Sequence, residues 1–200
     1  MQADELLQQI ALRYRAVEAY QDQGEMVNSV ARIRFRTFFQ RPRRFRLDWT
    51  DEYTDRDGKP QKSRQTICFN DLRGWWIDHD DQSREFADSL ETLVARATGV
   101  SMGVAQTISP LLTAEVGGFS LSQLIEPTVQ ETDLEGVPCW EVQGTHPDDR
   151  SDRYGFLAEQ RSLLIRKITN HTGAGSIESR WRITTDQPIA DRVFGLTPAN

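Results

Sequence analysis

Between Ala31 and Arg36 the chain alternates strictly between apolar and basic residues, Ala-Arg-Ile-Arg-Phe-Arg, and Arg44-Phe45-Arg46-Leu47-Asp48-Trp49 repeats the pattern. A period of two sends successive side chains to opposite faces of a β-strand, whereas a helix would scatter them around its circumference. Arg41-Pro42 lies between the two runs and marks the turn, because proline cannot donate to a sheet ladder. Asp55-Arg56-Asp57-Gly58-Lys59-Pro60 is a second hairpin signal. Gln65 to Phe69 then reads as a third strand, Asn70 to Gly74 as a turn, and Trp75 to Asp78 as a short strand. No connection is long enough for a crossover helix, so residues 24–87 are expected to form an antiparallel meander.

The flanking segments change period. Leu6, Leu7, Ile10, Ala11, Tyr14 and Val17 share one stripe, which predicts an amphipathic helix over 4–20 with Asp4 as its cap. Residues 88–126 read as a helical insert: Asp88 with Glu91 resembles a capping box, and Leu90, Leu93 and Val94 form an apolar face. Ser120 with Gln123 caps a last short helix. Strands return over 127–196, with hairpins around Leu134-Glu135-Gly136 and Glu159-Gln160-Arg161-Ser162 and a long strand from Ser176 to Thr185. Asp191 to Phe194 reads as an edge strand or a docked tail. The two β halves share one insert, so residues 1–200 are expected to form one α+β domain, a curved antiparallel sheet with covering helices.

Composition removes several function classes. Nine Phe, five Trp and four Tyr exclude a disordered chain, and no apolar run approaches the length of a membrane-spanning helix. A net charge of -6 argues against a nucleic-acid partner. Cys68 and Cys139 match no zinc spacing and are expected as two buried thiols rather than a disulfide. His79, His146 and His171 stand apart in sequence without a metal-binding pattern. Nucleophile elbows, phosphate loops and dinucleotide fingerprints are missing from the sequence. These readings predict no enzyme, no metal and no cofactor.

Two faces remain as candidates. Ile33, Phe35, Phe45, Leu47, Trp49, Phe69, Trp75 and Ile77 are predicted to line the inner side of the curved sheet, which would leave Trp76 beside Asp78 on the other side. Arg32, Arg34, Arg36, Arg44 and Arg46 occupy the opposite face. They read either as a solvated surface paired with carboxylates or as a docking face for an acidic protein or anionic lipid headgroups. Gly99, Gly103, Pro110, Gly117 and Gly118 break the helical insert, as suits a cover that opens over a ligand.

In order along the chain, Arg41-Pro42-Arg43-Arg44-Phe45-Arg46, then Asn70-Asp71-Leu72-Arg73-Gly74-Trp75-Trp76-Ile77-Asp78, then Leu163 to Ile168 and Ala190 to Pro198 resemble the periplasmic lipoprotein carriers LolA and LolB and their relatives. That family has an "RP..FR" strand followed by a "dG..lW.y" hairpin. The resemblance implies an incomplete antiparallel β-barrel closed by helices, a cavity for an acyl chain or other apolar small molecule, and no catalysis. In such a plan Leu90, Leu93, Val94, Leu111 and Leu112 would form the lid. It also implies a periplasmic or otherwise extracytoplasmic setting, with a signal peptide encoded upstream of Gln2. Carriage of a lipid or a lipoprotein acyl chain is the expected function. An envelope-stress sensor or protein-interaction module on the same fold is the rival expectation.

Overall fold

The computed structural model describes residues 2–172 and 175–195. A helix, α1 (Ala3–Arg15), leads into five strands and a short sixth: β1 (Ala19–Val27), β2 (Ala31–Gln40), β3 (Arg44–Thr54), β4 (Pro60–Asn70), β5 (Gly74–Asp78) and β6 (Arg84–Ala87). The insert follows as α2 (Leu90–Val100), α3 (Val104–Thr107), α4 (Ser109–Leu112) and a 3-10 turn over Leu121–Gln123. Strands β7 (Ile125–Leu134), β8 (Val137–Thr145), β9 (Arg153–Glu159), β10 (Ile165–Thr172) and β11 (Gly175–Thr185) complete the chain, with a 3-10 turn at Asp191–Phe194.

Among the described residues the eleven strands form one antiparallel sheet in the order β6-β5-β4-β3-β2-β1-β11-β10-β9-β8-β7. The sheet is curved and does not close into a barrel, and the helices cover its inner face. β1 joins the halves, pairing with β2 on one side and with β11 on the other, Tyr20 opposite Thr185 through to Val27 opposite Glu178. The open edges are the four-residue β6 and the acidic β7, which contains Pro127. Short length, charge and proline each discourage pairing with another chain.

The register places the alternating sets as the sequence predicts for most positions. Ile33, Phe35 and Phe39 on β2 and Phe45, Leu47 and Trp49 on β3 face inward with Ile67 and Phe69 on β4. Leu6, Leu7, Ile10 and Tyr14 of α1 and Leu90, Leu93, Val94 and Ala97 of α2 join them in one core. A smaller apolar cluster sits on the outer face, where Ala19, Cys68, Ile189 and Phe194 meet. Cys68 and Cys139 are free and buried, and burial pushes the Cys68 thiol up to about 11.

Several boundaries differ from the sequence-based expectation. The first helix ends at Arg15 instead of continuing to 20, and the meander starts at Ala19 instead of 24. Two neighbouring strands, β2 and β11, bond residues 19–27, and this pairing overrides the local helical pattern. The N-cap of α1 is Gln2 rather than Asp4, and α2 is capped by Ser89, whose hydroxyl accepts from the Thr92 N–H at 3.1 Å, rather than by Asp88. The insert ends early, because β7 begins at Ile125. The capping box of Ser120 and Gln123 forms as expected. Asp191–Phe194 forms a docked 3-10 turn and not an edge strand; residues 196–200 lie outside the described residues.

Gly24 is the tightest point of the β1–β11 junction. A Cβ there would lie 2.4 Å from the Arg180 carbonyl oxygen and 2.4 Å from Cζ of Phe35, whose ring packs edge-on against Trp181 at 5.8 Å. Gly24→Ala is expected to cost about 2–3 kcal/mol, because neither the backbone nor the wedged ring can yield. A lower urea midpoint with unchanged m-value would show it.

Asp22 is buried on the inner face at 5% exposure. The Tyr20 hydroxyl donates to its Oδ2 at 2.7 Å and the Thr37 N–H to its Oδ1 at 2.9 Å, but no cation bonds it among the described residues. Tyr14 of α1 and Tyr20, also pushed up by burial, stay neutral beside it. Burial outweighs the donors and raises the carboxyl to about 7. The folded chain therefore holds a proton that the unfolded chain releases near pH 4. The stabilisation is complete below the unfolded pKa and is lost as pH rises through about 7. Between pH 5 and 8 the protein is expected to lose on the order of 2–3 kcal/mol from this group, at ~1.4 kcal/mol per pH unit. Asp22→Asn should flatten that part of the pH profile in denaturant titrations; an unchanged slope would disprove the assignment.

Candidate functional site

The predicted wall and the predicted lid meet. Ile33, Phe35, Phe45, Leu47, Trp49 and Phe69 lie in the same core as Leu90, Leu93, Val94, Leu111 and Leu112, and all are at 3% exposure or less. They pack on one another in this closed form. Two wall assignments are corrected. Ile67 and Phe69 face inward, so their partners Trp76 and Gly74 do too, and Trp75 stands opposite Cys68 on the outer face. Trp76 packs edge-on against Trp49, with ring centroids 5.6 Å apart. Ile77 pairs with Thr66 and lies on the outer side with Trp75. The β4–β5 register, with Gly74 opposite Phe69, is what turns the face shared by Trp75 and Ile77 outward.

The arginine face is also split. Arg32, Arg34 and Arg36 are exposed. Arg44 is bound to Asp71 at 2.8 Å and Asp191 at 2.6 Å. Arg46 is 1% exposed: it pairs with Asp48 at 2.8 Å and donates to the Val193 and Gly195 carbonyls at 3.1 and 3.2 Å. The docked tail covers it, so Arg46 is a buried anchor and no part of a free docking face.

An apolar cavity of about 240 Å³ lies elsewhere, between the insert and the inner face of β9, β10 and β11. Met102 and Val104 come from the α2–α3 corner, Phe119 from the segment before β7, and Tyr154, Ile168 and Ile177 from the sheet. Ser179 and Asn170 also border it, where a larger apolar side chain would have filled the space. Asn170 has a buried Oδ1 without a hydrogen-bond partner. Phe119, His146 and Tyr154 stack at the rim, Phe119 lying 4.3 Å from His146 and 5.0 Å from Tyr154. His146 Nδ1 accepts the Asp148 N–H at 3.1 Å, which assigns the ring proton to Nε2. Burial raises the Tyr154 phenol, so the rim stays uncharged on that side.

None of these lining residues was predicted. Tyr154, Phe156 and Ala158 on β9 and Ile177, Ser179 and Trp181 on β11 do alternate at period two, and the interruption of that stripe by Ser179 is the one sequence sign of a hollow.

The cover over the cavity is held unevenly. Its far end is tied down by Arg41, whose guanidinium donates to the Val17 carbonyl at 2.9 Å, to the Leu112 carbonyl at 3.1 Å and to the Arg15 carbonyl. Arg43 adds an ion pair to Glu115 at 2.9 Å. The near end, at the cavity, turns through Met102 and Gly103 with φ of 50° and 87°. There it has a weak contact from Asn28 Nδ2 to Met102 Sδ at 3.3 Å and a Gln106 side chain donating to the Gly117 carbonyl at 3.0 Å. The far end is thus joined to the β2–β3 turn through two charged groups, Arg41 on Leu112 and Arg43 on Glu115, whereas the cavity end is joined to the sheet by the neutral Asn28–Met102 contact, which makes it the looser one.

Among the described residues no group of three or more His, Cys, Asp or Glu side chains is placed to hold a metal ion, and no helix is long and apolar enough to cross a membrane.

No protein-family model matches the sequence, and no curated protein is similar to it in sequence. Solved structures are similar in fold. An uncharacterised conserved protein from Thermus thermophilus is 8% identical with a TM-score of 0.57, over 96% of this chain and 93% of that chain. MucB, in the Pseudomonas aeruginosa MucA/MucB complex, is 14% identical with a TM-score of 0.44; the alignment covers 98% of this chain but only 61% of that one. A LolA superfamily protein from Nitrosomonas europaea is 7% identical with a TM-score of 0.37, over 98% of both chains. Identities this low speak for the fold alone. This chain shares with the Thermus thermophilus protein a fold whose sheet here is one curved antiparallel sheet left open with helices packed on its inner face.

Proposed function

We propose that this chain binds an apolar ligand, a lipid or a lipoprotein acyl chain, in the cell envelope, and catalyses no reaction. The observation that carries the reading is the apolar cavity under the loosely held end of the insert. At about 240 Å³ it is smaller than ordinary ligand pockets of ~300–1,000 Å³. The closed form admits the end of a chain, and a longer ligand requires the insert to lift at Met102-Gly103 and Gly117-Gly118. Lifting α2 would uncover Ile33, Phe35, Leu47, Trp49 and Phe69, so the predicted wall becomes an extension of the cavity. Phe35 is the bridge between the two regions, since its ring touches Trp181 of β11. Each buried CH₂ contributes about 0.8 kcal/mol, so a short stretch of acyl chain offsets the burial that the cover gives up as it lifts. The LolA-like plan and the resemblance of the RP and Gly-Trp-Trp motifs support an extracytoplasmic setting.

Mass spectrometry of organic extracts from the purified protein should find bound lipid, and dansyl-undecanoate should gain fluorescence on binding. Ile177→Glu, which places an unpaired carboxylate in the cavity at a half-buried position, should weaken uptake about tenfold or more while leaving the fold intact by circular dichroism. Arg153→Glu, on the outer face, should not. Absence of both extracted lipid and probe uptake would overturn the reading.

A further inference from the structure

The outer face of the β1–β11 junction holds a groove of about 1110 Å³. Its floor is set by register. Across neighbouring strands, Arg182, Gln23, Arg36 and Asp48 form one row, and Arg180, Glu25, Arg34, Thr50 and Arg64 form the next. In the second row, carboxylates partly neutralise the arginines: Glu25 and Glu52 bond Arg34 at 3.2 and 3.1 Å, and Glu135 bonds Arg180 at 3.1 Å. In the first row only a neutral amide, Gln23, lies between Arg36 and Arg182, and Asp48 is committed to Arg46 and Thr66. Arg36, Arg64 and Arg182 are exposed and have no ion pair among the described residues. A chain with net charge -6 thus concentrates uncompensated positive charge in one recess.

We infer that this groove docks an extended acidic segment of a partner protein, with carboxylates of the segment seated on Arg36 and Arg182. The shape favours a chain over a flat anionic surface. The groove runs from Lys62 and Arg64 on β4 to Arg166 at β10, with the Leu134–Glu135 turn beside it. Six strands at ~4.8 Å spacing make it roughly 24 Å long, the span of about seven extended residues. Glu25, Glu52 and Glu135 on or beside it repel a broad anionic sheet but leave the Arg36–Gln23–Arg182 row open to a narrow strand. Arg36 and Arg182 stand about two strand spacings apart, roughly 10 Å, so carboxylates from different residues of one segment can reach both. This site is on the opposite face of the sheet from the apolar cavity and does not depend on it.

The test measures fluorescence anisotropy of a labelled octaglutamate peptide with the full chain. Binding is expected at low salt and should fall steeply as salt rises. Arg36→Glu/Arg182→Glu should weaken it at least tenfold, and Arg36→Gln/Arg182→Gln should weaken it by less. Arg73→Glu/Arg84→Glu, with the same charge change outside the groove, should stay within about threefold of the unmodified chain. Circular dichroism and melting check that each variant folds. No binding at low salt, or a smaller than tenfold loss in the first double variant, would overturn the proposal. Binding to phosphatidylglycerol vesicles without binding to the peptide would assign the groove to a membrane surface and overturn it as well. Dansyl-undecanoate uptake by the same variants should be unchanged, which separates failure here from failure of the apolar-ligand reading.

Discussion

Pairing of the first strand with the last is the constraint on which the rest of the molecule depends. Neither meander alone buries its apolar face. The β1–β11 ladder fuses them into one sheet and aligns their alternating faces in one register. On the inner side it sets Gly24 beneath Phe35 and brings Phe35 against Trp181. On the outer side the same register lays Arg180 and Arg182 beside the arginines of β2. The outer groove is therefore a direct consequence of this set of backbone hydrogen bonds.

Arg41 is the second organising element. Its guanidinium satisfies carbonyls at the end of α1 and at the end of α4, groups that a helix cannot satisfy internally. One side chain at the β2–β3 turn thus ties the first helix, the sheet and the cover together. It stacks over Phe39 at 5.4 Å, which limits its rotamers and reduces the entropy lost in making these bonds. The far end of the cover is fixed to the scaffold by charge-assisted bonds, and the cavity end is held by weaker neutral contacts. That asymmetry is what a hinged cover over an apolar space requires.

Arginine in this sheet has three different roles despite one repeating pattern. Arg46 is sealed beneath the C-terminal turn, where Cys68 and Phe194 create an apolar patch that draws the tail down. Arg44 is held by two aspartates from distant parts of the chain. Arg36 stays exposed without an anion. The difference lies in what each strand neighbour and each returning segment supplies. Arginines of one repeating pattern therefore differ in whether they anchor the fold or remain available to a partner.

The sequence by itself determined the alternation, and with it the strands, the antiparallel order within each meander, the one-sided core and the helical nature of the insert. These are local properties: a period of two or of 3.6 is written in neighbouring residues. The sequence also indicated which side of β2 and β3 is buried, because arginine and aspartate resist burial. Tertiary structure alone decided the rest. The extra turn of the first helix gave way to a strand because β2, the next strand, and β11, from the far end of the chain, both bond that segment. Trp75 and Trp76 exchanged faces because Gly74 pairs with Phe69 across the Asn70–Arg73 turn, a register that alternation alone does not specify. The hollow at Ser179 needs the insert to pack on β9, β10 and β11, and the row Arg182–Gln23–Arg36 joins residues from opposite ends of the chain that only the pairing of β1 with β11 brings together.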